Sequence, residues 1–261
     1  MTPLVFFHEL FGPLRWLWFL VGACIGSFLT MLVYRLPLIL QAEQDGLEPS
    51  CTLSHPGSSC PACKSQLKWH QNLPFIGYAL SKGHCDSCGV KIPLQYLSLE
   101  LLASAWSLLT TYLWSDPTQI VAWSIFGWFI LAMGWMDAKT KWLPDVLTIS
   151  FLWVGLLFST LPQARVNPSS AILAAISGYL SLYAVGSAFY LFRGKEGLGG
   201  GDIKLIAAFG AWMGLVPMLY TLVAACTLTI VGSLVLKLRG QVPFGPALCI
   251  SALAVALYFK Y

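Results

Sequence analysis

Apolar runs about twenty residues long, separated by short polar joints, occupy most of this chain. A helix needs roughly 20 residues to cross the hydrocarbon core of a bilayer. On that scale the runs predict eight spans, near 13–34, 96–114, 119–136, 143–161, 169–192, 203–217, 218–238 and 244–260. The first should end at Tyr34-Arg35-Leu36-Pro37, where proline stops a helix and arginine sits at the interface. Gly22 and Gly26 form a small-xxx-small face suited to helix packing. Pro217 alone separates the sixth and seventh spans. Residues 1–12 lack the basic head and small-residue cleavage site of a secretory signal.

From 35 to 95 the pattern changes to Cys, Pro, Gly, Ser and Lys, which reads as a compact extramembrane insert. The organisation is then a first span within 1–34, the insert at 35–95, and a seven-helix membrane core at 96–261.

Composition agrees with the pattern. The chain is 57% hydrophobic and 10% charged, with a mean hydropathy of +0.72, whereas soluble domains carry about 25% charge. The fold class is an all-α polytopic membrane protein. A net charge of +4 is small and is informative loop by loop rather than as a nucleic-acid signal.

With the insert in the cytoplasm, that side collects Arg35, Lys64, Lys68, Lys82, Lys91, Lys139, Lys141, Arg193, Lys195, Lys237 and Arg239. The other side holds Arg15, Arg165 and Lys260, with Lys204 at the boundary. The positive-inside rule therefore predicts a cytoplasmic insert. The same topology puts Asp137 and the Gly197–Gly201 loop, with Asp202 behind it, at the cytoplasmic mouth of the bundle.

The insert carries Cys60-Pro61-Ala62-Cys63 and Cys85-Asp86-Ser87-Cys88, with 21 residues between the two pairs. Two C-x-x-C knuckles supply four thiolates for a closed, structural Zn²⁺ site, in a segment too small to build its own core. Two disulfides or a redox pair are the alternatives, and a reducing cytoplasm argues against disulfides. His84 adjoins Cys85 and is a competing ligand, while Cys51 has no assigned role. Cys24, Cys226 and Cys249 lie in apolar runs and read as small core residues.

A carboxylate at the lip of a membrane helix is costly and by default marks a functional site. Taken singly, Asp137 could cap a helix or pair with Lys139 or Lys141, and Asp202 could cap the helix that follows it. Two at one depth, one of them behind Gly197-Leu198-Gly199-Gly200-Gly201, suggest a pair sharing a proton. One would act as general base to a water while the other, protonated, polarises a scissile carbonyl. Glycines at Gly199 and Gly201 would give a substrate backbone room to approach. A Walker A loop would need Lys-Ser/Thr where Asp202-Ile203 stands, and a dinucleotide fingerprint would need glycine or alanine at Asp202. No Ser-His or Cys-His arrangement is evident.

These motifs, in this order and over nearly the whole chain, resemble the type IV prepilin peptidases, membrane aspartic proteases of the Gly-x-Gly-Asp group. The matching stretches are Gly26-Ser27-Phe28-Leu29 with Tyr34-Arg35-Leu36-Pro37, the double C-x-x-C insert with Trp69, Asn72 and Pro74, and Asp137 through Leu143-Pro144-Asp145. Gly199-Gly200-Gly201-Asp202-Ile203-Lys204-Leu205 and Pro243-Phe244-Gly245-Pro246 complete the series.

The resemblance implies cleavage of the leader from prepilins or pseudopilins on the cytoplasmic side of the inner membrane. It also implies N-methylation of the new N-terminus with S-adenosylmethionine. Asp137 and Asp202 would be the catalytic dyad and Asp145 a neighbouring acid. Three positions depart from the family pattern: Thr30, His70-Gln71-Asn72, and Gln95-Tyr96-Leu97, all in or beside the half associated with methylation. Two other readings stand at this level: a proton-coupled transporter using the paired aspartates, and a methyltransferase alone.

Overall fold

The computed structural model describes residues 3–60, 62–195, 197–235 and 243–259, with residues 3–14 as backbone. Pro61, Lys237, Arg239, Lys260 and the end of the span expected at 218–238 lie outside the described residues. Among the described residues the chain is helical, and its β-pairing is confined to two isolated bridges.

The helices are α1 (Pro3–Gln44), α2 (Ile76–Leu80), α3 (Leu94–Leu113), α4 (Pro117–Thr140) and α5 (Asp145–Ser159). They continue as α6 (Pro168–Arg193), α7 (Gly200–Met213), α8 (Leu215–Val235) and α9 (Gly245–Phe259). Each apolar run of the sequence corresponds to one of these helices. Four of them, within Arg15–Gln44, Pro117–Thr140, Pro168–Arg193 and Leu215–Val235, are long and apolar enough to cross a membrane; α5 and α9 are apolar but shorter.

Two expected boundaries move. Helix α1 does not stop at Pro37 but runs on to Gln44. Leu36, beside the proline, is buried, and packing there outweighs the loss of one backbone hydrogen bond. The break between α7 and α8 falls at Gly214, not Pro217. Gly214 has φ +78°, a left-handed value that glycine reaches without a Cβ clash. Pro217 instead lies in the first turn of α8, where its missing N–H would have no helical partner anyway.

The chain divides into two compact units, residues 1–132 and 133–261, the division falling inside α4. In the first unit α1 lies directly on α3. A Cβ on Gly22 would be 2.7 Å from the Ala103 carbonyl oxygen, and one on Gly26 would be 2.6 Å from Glu100 Cα. The small-residue face thus brings two backbones into contact. Trp106 Nε1 donates to the Trp123 carbonyl at 2.7 Å and fixes α3 against α4.

In the second unit α7 is the central element. Nearly every residue from Ile203 to Met213 is buried, as expected of a helix apolar all round. Its 14 residues span only about 21 Å, less than the ~30 Å hydrocarbon core. Helices α5, α6, α8 and α9 pack around it. Trp212 Nε1 donates to the Phe151 carbonyl at 2.9 Å, and a Cβ on Gly210 would meet Ala174 backbone at 2.7 Å. Of the cysteines expected in the core, Cys249 is buried, whereas Cys24 and Cys226 lie on exposed helix faces.

Candidate active site

Asp137 belongs to the last turn of α4, and Lys141 N–H donates to its carbonyl at 2.8 Å to close that turn. The side chain is 6% exposed. Its Oδ2 accepts the backbone N–H of Gly245 at 3.0 Å. Gly245 opens α9, so the bond comes from a helix N-terminus, where unpaired N–H groups and the helix dipole favour an anion. Glycine is required there by space: a Cβ on Gly245 would lie 2.6 Å from Asp137 Oδ2 and 2.8 Å from Cγ.

Asp202 occupies the first turn of α7, three residues after the N-cap, Gly199. It does not cap its helix in the way an Asp at the N-cap position would. Its Oδ1 is buried and has no hydrogen-bond partner among the described residues, a costly state for a carboxylate oxygen. The charge of Asp137 acts on Asp202, and buried Cys249, one turn into α9, feels both. The two aspartates, 65 positions apart, thus both lie in the second unit within electrostatic range of each other, one in the first turn of α7 and the other against the first turn of α9.

The glycines differ in what surrounds them. A Cβ on Gly199 would be 3.0 Å from Asp202 Oδ2, and one on Gly201 would be 2.7 Å from Leu143 Cβ and 3.0 Å from its carbonyl oxygen. Gly201 lets α7 rest on the loop between α4 and α5. At Gly200 no atom comes within 4 Å of a Cβ, so the open space lies there. Asp145, at the start of α5, forms an ion pair with Lys204 on α7 and ties the same two segments together.

The four knuckle cysteines of the first unit also meet. All four sulfurs lie within 4.8 Å of one another, with Cys60–Cys88 at 3.8 Å and Cys63–Cys85 at 3.9 Å. Zn–S bonds of about 2.3 Å at tetrahedral angles give S···S edges of about 3.8 Å. The thiols are free, not disulfides, so the donor set fits Zn²⁺. His84 is not part of this cluster; its Nδ1 lies 2.8 Å from the Lys82 carbonyl.

The knuckles are built alike. Lys64 N–H donates to the Cys60 carbonyl and Gly89 N–H to the Cys85 carbonyl, closing the two turns, and Cys60 N–H bonds Ser65 O and Cys85 N–H bonds Val90 O beside them. Lys64 and Gly89, each following the second cysteine of its pair, have φ +59° and +70°. The Ser65 side-chain and backbone hydrogen bonds lower the Cys63 thiol to about 6. Cys88 accepts a Val90 backbone bond that lowers it, yet burial and the sulfurs around it raise it to about 12.

Reasoning from sequence had placed Asp137, Asp202 and the four cysteines but gave Gly245 no role. The only hint was Pro243-Phe244-Gly245-Pro246 ahead of the last apolar run.

Residues 20–114 match the bacterial Peptidase A24 N-terminal domain, and residues 124–234 match the type IV leader peptidase family. A protein of Dichelobacter nodosus named prepilin leader peptidase/N-methyltransferase is 34% identical over 98% of this chain and 93% of its own length. Proteins of the same name from Pseudomonas aeruginosa and Klebsiella pneumoniae are 35% and 38% identical, covering 92% and 79% of this chain and 88% of their own length in each case. No solved structure matches. The alternatives of a transporter or a methyltransferase alone are not favoured by these relatives. Matched along both units and nearly end to end, the chain belongs to the type IV leader peptidase family.

Proposed function

We propose that this protein is a membrane aspartic endopeptidase with Asp137 and Asp202 as its dyad. It cleaves the leader from type IV prepilins or type II secretion pseudopilins and N-methylates the new N-terminus, as the names of its relatives indicate. The observation that supports the reading is a pair of carboxylates within electrostatic range, Asp137 bonded to the first turn of α9 and Asp202 in the first turn of α7 with a buried oxygen that has no partner among the described residues.

The chemistry follows from that arrangement. Two carboxylates in mutual range share one proton more easily than they both ionise. The ionised member takes a proton from water as the water attacks the scissile carbonyl carbon. The protonated member donates to the carbonyl oxygen. The resulting tetrahedral centre collapses, the C–N bond breaks, and a proton passes to the leaving amine. The Gly245 N–H holds Asp137 in place through this exchange. The opening beside Gly200 is where an extended substrate backbone passes.

In this reading all eight apolar helices cross or enter the inner membrane. Insert and dyad face the cytoplasm, in keeping with the lysine and arginine distribution. Zn²⁺, held by Cys60, Cys63, Cys85 and Cys88, organises the insert. S-adenosylmethionine is the methyl donor, and prepilin or pseudopilin helices in the membrane are the substrate partners.

The test is cleavage of a purified prepilin by detergent-solubilised protein. Asp137→Asn and Asp202→Asn should each abolish cleavage while the protein stays folded and membrane-inserted. Near-normal cleavage by either variant would remove that residue from the dyad, and a wild-type protein that leaves prepilin uncut would return the reading to a transporter.

A further inference from the structure

The first unit holds a cavity of about 500 Å³ between α1, the insert and the start of α3, within the size range of small-molecule sites, roughly 300–1,000 Å³. The protease dyad makes no use of it. It is nevertheless where the remaining sequence motifs converge: Ser27, Tyr34, Arg35 and Asn72 line it, with Tyr96 and Glu100. Residues that depart from the family pattern, Thr30, Gln71 and Leu97, line it too.

Its construction is specific. The contact of Gly26 with the backbone of Glu100 sets the Ser27 side chain against the Glu100 carboxyl, and the two hydrogen-bond. Phe75 N–H donates to Glu100 Oε2 at 2.9 Å. Phe75 does so from φ +60°, a conformation unfavourable for a bulky residue that persists where the surroundings enforce it. Arg35 donates to the carbonyls of Thr52 and Pro56, at 2.9 and 2.7 Å, and holds the 50–58 segment over the cavity.

Glu100 is the single carboxylate among the described lining residues. Its partners are the Ser27 hydroxyl and the Phe75 N–H, and among the described residues no ion pair joins it to Arg35, Lys64 or Lys91, which line the same cavity. Gln71 is engaged elsewhere: its amide donates to Asp86 at 2.6 Å and accepts from Lys68 N–H at 2.7 Å.

We propose that this cavity binds the methyl donor, S-adenosylmethionine, with Glu100 as the counter-charge to its cationic sulfonium-amino acid portion. The inference rests on the N-methyltransferase part of the function proposed above. Tyr34 and Tyr96, which lie within electrostatic reach of each other, offer ring faces for the adenine.

In the transfer, the substrate's N-terminal ammonium first releases a proton to solvent. The free amine then attacks the methyl carbon and a C–N bond forms. The C–S bond breaks with its electron pair left on sulfur, the donor departs as a neutral thioether, and the product is a methylated ammonium. Loss of the sulfonium charge weakens the pairing with Glu100 and favours release.

The experiment is equilibrium dialysis of full-length protein in detergent with radiolabelled S-adenosylmethionine and, separately, S-adenosylhomocysteine. Photo-crosslinking of the labelled donor and peptide mapping accompany it. Glu100→Gln keeps an acceptor for the Phe75 N–H but removes the charge; Met31→Trp fills the cavity from α1. Glu100→Gln should weaken S-adenosylmethionine about tenfold or more, the loss of one charge-assisted contact, and S-adenosylhomocysteine less. Met31→Trp should lose both ligands. Zinc content and leader cleavage should stay at wild-type levels, and the cross-link should map within residues 27–100.

Unchanged S-adenosylmethionine binding in Glu100→Gln overturns the counter-charge. Unchanged binding in Met31→Trp, or a cross-link outside 27–100, overturns the cavity while leaving the proposed activity intact. A wild-type protein that neither binds the donor nor methylates cleaved substrate overturns the methyltransferase reading itself.

Discussion

The backbone N–H of Gly245 donates to Asp137 Oδ2 at 3.0 Å, and a Cβ at Gly245 would lie 2.6 Å from that same oxygen. One bond thus joins the last turn of α4 to the first turn of α9, and it can form only while position 245 has no side chain. Gly245→Ala should push the Asp137 carboxylate out of place at a packing cost of about 1–3 kcal/mol. Cleavage should fall about 100-fold, as expected when a catalytic group shifts by an ångström. Thermal melting and a kcat measurement on a prepilin substrate check both effects; an Ala variant with normal kcat would mean that Asp137 does not need this bond.

The two glycines immediately ahead of Asp202 should separate in experiment. Gly201→Ala puts a methyl group against Leu143, its backbone carbonyl included, and should destabilise by about 1–3 kcal/mol. Gly200→Ala has open space at the first position of a helix, and should leave stability unchanged or raise it by up to about 1 kcal/mol. If a substrate backbone passes beside Gly200, Gly200→Ala should still raise KM. Melting temperature and KM measured on both variants show whether the two effects divide in this way.

Metal loss should act on the first unit. Cys60 and Cys85 belong to the four-sulfur cluster that fits Zn²⁺ and also line the unit's cavity. Wild-type protein should hold about one zinc per chain, and Cys→Ser at Cys60, Cys63, Cys85 or Cys88 should remove it. Methylation should fail in these variants before cleavage does. Elemental analysis together with separate cleavage and methylation assays checks the order. A metal-free wild-type protein, or cleavage lost first, contradicts it.

In the proposed mechanism Asp145 stands outside the dyad and stabilises its surroundings through Lys204. Its ion pair with Lys204 is largely exposed on the Asp145 side, and exposed pairs contribute about 0–1 kcal/mol. Asp145→Asn should therefore shift the melting temperature slightly and keep most of the cleavage activity. Complete loss of cleavage would place Asp145 in the chemistry.

Much of this molecule was legible in the order of its residues. Apolar runs determined the helical class and the location of the eight apolar helices, though not of the short α2 in the insert, because a backbone without water must satisfy its hydrogen bonds within the segment. Cysteine spacing determined the metal knuckles, because two residues between thiols are what one tight turn needs. Asp137 and Asp202 stood out because carboxylates are costly at membrane depth.

Tertiary structure decided what depends on which surfaces touch. It carried α1 past Pro37, where burial outweighed one lost hydrogen bond, and it moved the α7–α8 break to Gly214, where only the backbone conformation could show it. It also gave Gly245 its role and Glu100 its cavity. Both depend on groups distant along the chain meeting within about 3 Å, Gly245 with Asp137 and Glu100 with Phe75, and no local pattern of residues encodes such a meeting.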